Sequence, residues 1–190
     1  MKPEEVRERA DRLVTRLEEW HERQDRGVLA RLQRGLSETT RQEAWTVLGP
    51  WFGPTAVGCP VYETVAGCFA LHPIVPAPHI GNFGETLSKA MGDKMREEKE
   101  AHTRFRRLLA CADCDEICKY VRHAIRLAKS AKPQTVNVNY RQLFVDLWWW
   151  NDYTKIAWAK AYWHVPADAT DFALAGVGTP VEEEPAPMPE

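Results

Sequence analysis

Apolar residues recur at intervals of three and four along most of this chain, the spacing that places side chains on one face of an α-helix. No pair of segments alternates as strands would, apart from a weak pattern at residues 135–138. A chain of 190 residues can bury one ordinary core. The sequence therefore predicts an all-α protein, a compact helical bundle with one core or at most two small helical lobes that share an interface. The first helical face comprises Val6, Ala10, Leu13, Val14, Leu17 and Trp20.

Capping residues and helix breakers predict where the later helices begin. Small polar side chains are favoured at the N-cap because they accept a hydrogen bond from a free backbone N–H, and proline is tolerated in the first turn. His72-Pro73 ends one helix in this reading, and Pro133 ends another. The predicted starts are an N-cap at Ser37, a first turn at Pro60, a helix from Gly84, and N-caps at Asp113, Asn139 and Asp152.

The helix predicted from Cys114 to about Ala131 carries two contrasting faces. At about 100° per residue, its apolar residues share one side and its bases share the other. The predicted core side holds Ile117, Tyr120, Val121, Ala124, Leu127 and Ala128. The opposite side holds Lys119, Arg122, Arg126 and Lys129, with no acid among them.

The charge of the chain is unevenly distributed, although its formal net value is only −2. Residues 166–190 carry six acids and no base, so the rest of the chain has 25 bases and 21 acids, a net charge of +4. The part from Gly27 to Val165 has 18 bases against 13 acids. A basic central region can replace the counterions on nucleic-acid phosphates, whatever the base sequence. The acidic, proline-rich tail from about Ala167 buries little, and we expect it to be disordered.

Two more arginine groups accompany the basic helix. Arg31 and Arg34 lie one turn apart and Arg41 follows, while Arg104, Arg106 and Arg107 form the second group. The planar guanidinium binds phosphate in two places at once, which favours Arg for this task. The simpler interpretation is that all these bases form solvated helix faces, and the sequence does not establish that they converge.

Catalytic motifs are missing from the sequence. No phosphate-binding glycine loop, nucleophile elbow or H-E-x-x-H occurs, and no nucleophile adjoins any of the six histidines. Cys111, Cys114 and Cys118 could hold zinc as part of a metal-dependent hydrolase, but they lack a second pair and are more typical of core packing. We predict a non-enzymatic protein without metal or cofactor.

The remaining composition favours a soluble cytoplasmic protein. Five cysteines and no apolar leader indicate a reducing compartment. No stretch approaches the roughly 18 apolar residues of a membrane span. The tryptophans at 148–150, 158 and 163 could stack on unpaired bases, but they are more typical of a core and a subunit contact.

Several short segments follow one another in a recognisable order between about Gly27 and Val165. They are Leu32-Gln33-Arg34-Gly35, Phe69-Ala70-Leu71-His72-Pro73, Arg104-Phe105-Arg106-Arg107-Leu108-Leu109, Arg122, Asn139-Tyr140, Leu143, Asp146-Leu147, Trp149-Trp150 and Trp158-Ala159-Lys160-Ala161-Tyr162. No single segment is specific, but in their order and spacing they resemble the CasB family, the small subunit of the type I-E CRISPR interference complex Cascade.

The resemblance implies a helical, non-catalytic subunit present in two copies beside the backbone and large subunits of Cascade. It implies binding of nucleic-acid backbone, including guide RNA paired with target DNA and the displaced DNA strand, so that the R-loop is stabilised. Arg34, Arg104 and Arg122 occupy the matching positions. With the neighbouring bases, the predicted nucleic-acid-binding residues are Arg31, Arg34, Arg104, Arg107, Arg122, Arg126 and Lys129.

Three features depart from the family pattern, and one alternative remains. Glu85 and Cys59 stand where relatives often carry a base, and the acidic tail is additional. The alternative is a helix-turn-helix regulator that reads duplex DNA, which needs a recognition helix with suitable donors near its start. The helix after Asp113 starts with Cys, Asp and Glu, which disfavours that reading.

Overall fold

The computed structural model describes residues 2–53, 59–74, 81–96, 99–130 and 136–164, without the side chains of residues 92–101. These ranges contain no strand, so the predicted all-α class is confirmed. The tail predicted from Ala167 lies outside them, as do Pro133 and Thr135. The helices are α1 (Pro3–Glu22), α2 (Arg26–Arg34), α3 (Arg41–Leu48), α4 (Cys59–Leu71), α5 (Phe83–Arg96), α6 (Lys99–Ala110), α7 (Cys114–Ser130), α8 (Tyr140–Trp148) and α9 (Asp152–Trp163), with a 3-10 turn at Gly49–Trp51.

The helices form two groups that share one hydrophobic core. In the first group α1 packs against α8, α2 packs against α3 and α4, and α4 also contacts α8. In the second group α5 packs against α9 and contacts α6. Helix α7 contacts members of both groups, chiefly α4 and α5, and joins them. It therefore lies at the centre of the molecule, with only its outer surface free.

Helix α1 buries the face that its periodicity predicts. Val6, Leu13, Val14 and Leu17 have no exposed surface, and Trp20 packs against the same core. An ion-pair cluster holds α1 to α8, because Arg141 donates to both carboxylate oxygens of Glu18 at 2.9 and 2.8 Å. Burial of the apolar face stabilises this helix more than its intrinsic propensity does.

Close packing of α5 on α9 depends on a glycine. A Cβ on Gly84 would overlap the carbonyl oxygen of Trp158 and lie 2.9 Å from its Cα. Trp158 itself is fully buried and donates its indole N–H to Asp146 at 2.6 Å. The predicted core role of the tryptophans therefore holds for Trp158, whereas Trp149 and Trp163 are 37 and 46% exposed.

Several helix starts differ from the prediction by one or a few residues. Asp113 and Asn139 are N-caps as predicted, with oxygens 2.8 and 3.1 Å from the N–H groups of residues 116 and 142. Asn151 caps α9 instead of Asp152, since its side chain accepts from Thr154 N at 3.2 Å. Helix α5 starts at Phe83, one residue before Gly84, because Asn82 accepts from the N–H of residue 85. The Ser37 prediction is wrong, because α3 begins only at Arg41.

The buried face of α7 is rotated relative to the predicted one. Ile117, Val121 and Ala128 are buried as predicted, but Tyr120 is 38% exposed, and Ala124 and Leu127 are half-buried. The core side instead includes Cys118 and Ile125, which the prediction omitted. The reason is that α7 has neighbours on both flanks, so apolar residues are needed against α4 as well as towards α5 and α6.

None of the helices in the described ranges is both long and apolar enough to cross a membrane.

Candidate nucleic-acid interface

The outer surface of α7 presents three of the four predicted bases. Lys119, Arg126 and Lys129 are exposed, and the ring of His123 lies among them, 3.5 Å from an Arg126 nitrogen. The row is held in a fixed position because the start of the helix is capped by Asp113 and its other side is buried. Three positive charges are thereby held along one solvent-facing row.

Arg122 does not belong to that exposed row. Its side chain is 12% exposed, its Nε donates to Thr64 Oγ1 at 3.0 Å, and its terminal nitrogen lies 3.7 Å from Glu63. The predicted stripe of four solvated bases is therefore wrong at this position. Rotation of the α7 core face towards α4 turns Arg122 inwards, where a buried carboxylate neutralises it.

Glu63 is the centre of a polar network that ties three helices together. It is 1% exposed and accepts from one Arg41 nitrogen at 3.0 and 2.9 Å and from the indole N–H of Trp45 at 2.7 Å. The Arg41 guanidinium also lies 5.3 Å from the centre of the Trp45 ring. A buried carboxylate is costly unless it is paired and hydrogen-bonded, and here α3 and α7 supply the partners.

This network adjoins a groove of about 280 Å³ between α3, α4 and α7. Three bases line it, namely Arg41, Lys119 and Arg122, and so do the acids Glu38 and Asp115. The Nε of Arg41 is buried and has no partner among the described residues. The predicted set left out Arg41 and Lys119, and the sequence signal for this network was Glu63, an acid inside the otherwise apolar α4.

A second groove, of about 420 Å³, lies on the other side of Arg126. It brings Arg126 of α7 together with Arg34 of α2, with Gln33, Ser37 and Thr40 also on its walls. Arg34 is exposed and pairs with Glu43 at 2.7 Å. Because an exposed ion pair contributes little free energy, a phosphate can replace Glu43 as the partner of Arg34 at small cost.

A third groove, of about 400 Å³, lies between α5, α6 and α7. Arg104 and Arg107 stand on its α6 side and His123 on its α7 side. Its floor is apolar and includes Leu87, Met91 and Leu108. Arg31 and Lys129 line none of these three grooves, although both are exposed.

All three grooves border α7, so the structure brings most of the predicted bases to one surface. Arg34 and Arg126 meet on one flank, Arg104 and Arg107 stand on the other, and the contact between His123 and Arg126 connects the two flanks. Basic side chains spaced along a grooved helix can neutralise several successive phosphates. Such contacts to phosphates do not distinguish one nucleotide from another.

The cysteines near this surface are arranged differently from a metal site. The sulfurs of Cys114 and Cys118 are 4.0 Å apart, whereas the Cys111 thiol donates to the carbonyl of Arg107. Burial raises the pKa of Cys111 to about 11, so this thiol is protonated near neutral pH. No group of three or more potential metal ligands occurs in the described ranges.

Comparison with known proteins agrees with the fold. A family model described as CRISPR-associated protein Cse2 matches residues 28–163. A chain in a solved structure named "CRISPR RNA-guided surveillance complex" has 19% sequence identity and a TM-score of 0.65, over 84% of this chain and 94% of that chain, and so shares its fold. Among curated protein sequences, no individual one matches this chain. Because the family model covers well over half of its residues, the chain belongs to the Cse2 family, also called CasB, the small subunit of type I-E Cascade.

Proposed function

We propose that this chain is a non-catalytic Cascade subunit that holds nucleic-acid backbone along the outer surface of α7. It stabilises the R-loop in antiviral defence, including the displaced DNA strand, without preference for base sequence. The observation that carries the proposal is that arginines from three helices line grooves on the two flanks of α7, Arg34 and Arg126 on one and Arg104 and Arg107 on the other. Arg31 and Lys129 extend the same basic surface beyond the grooves.

Charge is the form of recognition that such a role requires. Guide pairing selects the target in Cascade-like complexes, so a subunit that holds the displaced strand must accept any sequence. Contacts to phosphates supply affinity without sequence information. The exposed bases around α7 can make such contacts, whereas Arg122 acts mainly through the Glu63 network that positions α7 against α4.

A contact with the rest of Cascade is favoured at α9. Tyr153 and Ile156 are 86 and 54% exposed, and Trp163 continues the same helix face two turns later. Exposed apolar residues that form a row on one helix are typical of a protein interface. We assign this row to a contact with a second copy of the chain or with a backbone or large subunit. Ile156→Asp is expected to weaken incorporation into purified Cascade, whereas Gln42→Asp, at an exposed position of α3, is not.

Binding of labelled single- and double-stranded DNA of unrelated sequences across a salt series tests the backbone-holding role. The test variant is Arg34→Ala, Arg104→Ala, Arg126→Ala, which avoids Arg122 because that residue supports the fold. Arg7→Ala, Arg12→Ala, Arg23→Ala is the control, since it removes the same charge from exposed positions on or just after α1. Circular dichroism and thermal unfolding confirm that each variant is folded.

The wild type and the control are expected to bind all sequences alike, with an affinity that falls steeply as salt rises. On single-stranded DNA each lost phosphate contact lowers the log–log salt slope by about 0.7, so the test variant should lose about 2. Equal slopes for the test variant and the control would contradict the proposal. Preference for one duplex sequence would instead favour a helix-turn-helix regulator.

A further inference from the structure

The groove between α5, α6 and α7 has an apolar floor that phosphate binding does not use. Leu87, Met91 and Leu108 form that floor, and the half-exposed ring of Tyr120 stands on the α7 wall. Arg104 and Arg107 lie at the α6 side, and the described residues that line the groove include no acid. A ligand suited to this groove combines apolar side chains with negative charge.

The last described helix delivers the chain to this groove. Tyr162 near the end of α9 contacts the sulfur of Met91, a floor residue, at 3.1 Å. His164, the next residue after α9, has its Nε2 3.0 Å from Ser88 Oγ, beside Leu87 on α5. The 26 residues that follow therefore begin next to the groove.

The nearest part of that tail has the composition that the groove suits. Residues 168–174 read Asp-Ala-Thr-Asp-Phe-Ala-Leu, with two acids, two large apolar side chains and no base. Phe172 is eight residues beyond His164, and eight extended residues span up to about 26 Å. This reach is comparable to the diameter of a small helical lobe, so the segment can enter the adjacent groove.

We propose that the segment 168–174 of the same chain binds in the groove between α5, α6 and α7. Phe172 and Leu174 cover the apolar floor, and Asp168 and Asp171 pair with Arg104 and Arg107. The segment then pairs with Arg104 and Arg107, two of the basic side chains proposed to bind nucleic acid. The tail and the nucleic acid therefore compete for these two arginines. This competition, unlike the binding of the segment, rests on the proposed function.

Photo-crosslinking of the full chain without nucleic acid tests the binding. With Phe172→p-benzoylphenylalanine, illumination is expected to form crosslinks to α5, α6 and α7 within one chain, concentrated at Met91, Leu108 and Tyr120. Asp168→Asn with Asp171→Asn, or a rise in salt, should reduce the yield several-fold. Glu182→Gln with Glu183→Gln removes the same charge farther along the tail and should leave the yield unchanged.

Three results would overturn the assignment. These are crosslinks scattered over unrelated helices, a yield that the aspartate changes do not alter, and crosslinks between chains. Mixing labelled and unlabelled protein identifies the last, which would show that the groove receives a second copy instead.

Competition has its own measurement, the affinity for single-stranded DNA of the full chain with Phe172→Ser and Leu174→Ser. If the segment occupies the groove nine-tenths of the time, its release should raise the affinity for DNA up to about tenfold. If the crosslinks form but the protein binds no DNA, the binding of segment 168–174 in the groove is supported and the proposed function is refuted. If the protein binds DNA, forms no crosslinks and is unaffected by these substitutions, the binding of the segment in the groove is refuted and the proposed function is supported.

Discussion

Replacement of Glu63 by glutamine removes one negative charge from the centre of the Arg41–Glu63–Arg122 network and leaves its shape nearly unchanged. Glu63 is 1% exposed and Arg122 is 12% exposed, so water has little access to solvate the Arg122 charge once its carboxylate partner is gone. Removing one partner of a buried ion pair costs about 3 to 5 kcal/mol. Because the Arg41 side chain is 40% exposed, we expect the lower end, about 3 kcal/mol.

In a chain of this size such a loss lowers the melting temperature by about 6 to 12 °C. Urea unfolding followed by circular dichroism measures the free energy directly, and Glu22→Gln, on the exposed end of α1, is the matched control. DNA binding by the folded Glu63→Gln variant should be retained, since the exposed bases are unaltered. A loss of less than about 0.5 kcal/mol, the usual range for surface substitutions, would refute the reasoning.

Three further substitutions test the packing that positions α7 and its neighbours. Gly84→Ala should cost about 2 to 3 kcal/mol because the new Cβ meets the backbone of Trp158, whereas Gly49→Ala, with open space around it, should cost far less in the same unfolding assay. Tyr140→Phe removes the hydroxyl that donates to the carbonyls of Cys68 in α4 and of His72 just after it, and should cost about 1 kcal/mol by urea unfolding. Burial raises the pKa of Asp146, against the opposing hydrogen bonds, so its contribution is present at low pH and is lost as pH rises through the raised value. The stability of wild type relative to Asp146→Asn should therefore fall as pH increases from 3.8 towards neutrality, and a difference that stays constant or rises would contradict the burial argument.

Helix positions with a single apolar face were predictable from the sequence. The α1 face and the caps at Asp113 and Asn139 follow from local chemistry, because periodicity and N–H acceptors act within a few residues. These features need no knowledge of which helices become neighbours, so the predictions were confirmed.

The orientation of α7 could not be predicted in the same way. Its apolar residues cover more than half of the helix circumference, and their spacing alone cannot say which flank meets α4 and which borders an open groove. Arg122 therefore appeared on a solvated stripe, although the structure turns it towards Glu63. Only the unusual acid in α4 signalled that a base elsewhere in the chain had to be buried beside it.

The arginine groups themselves were visible in the sequence, but their convergence was not. Arg34 and Arg126 are 92 positions apart, and nothing local to either residue predicts that they share a groove. Packing of α2 on α4 and of α4 on α7 determines this proximity, and it depends on the whole first helical group.

Protection of the displaced strand in reconstituted type I-E Cascade tests the central claim most directly. The complex is assembled with wild type, with the Arg34, Arg104, Arg126 triple-alanine variant or with the α1 control variant, and the R-loop is probed with a single-strand-specific nuclease. The account predicts that wild type and control protect the displaced strand and that the triple variant exposes it while guide–target pairing persists. Equal protection in all three complexes would contradict the claim that this surface holds the strand.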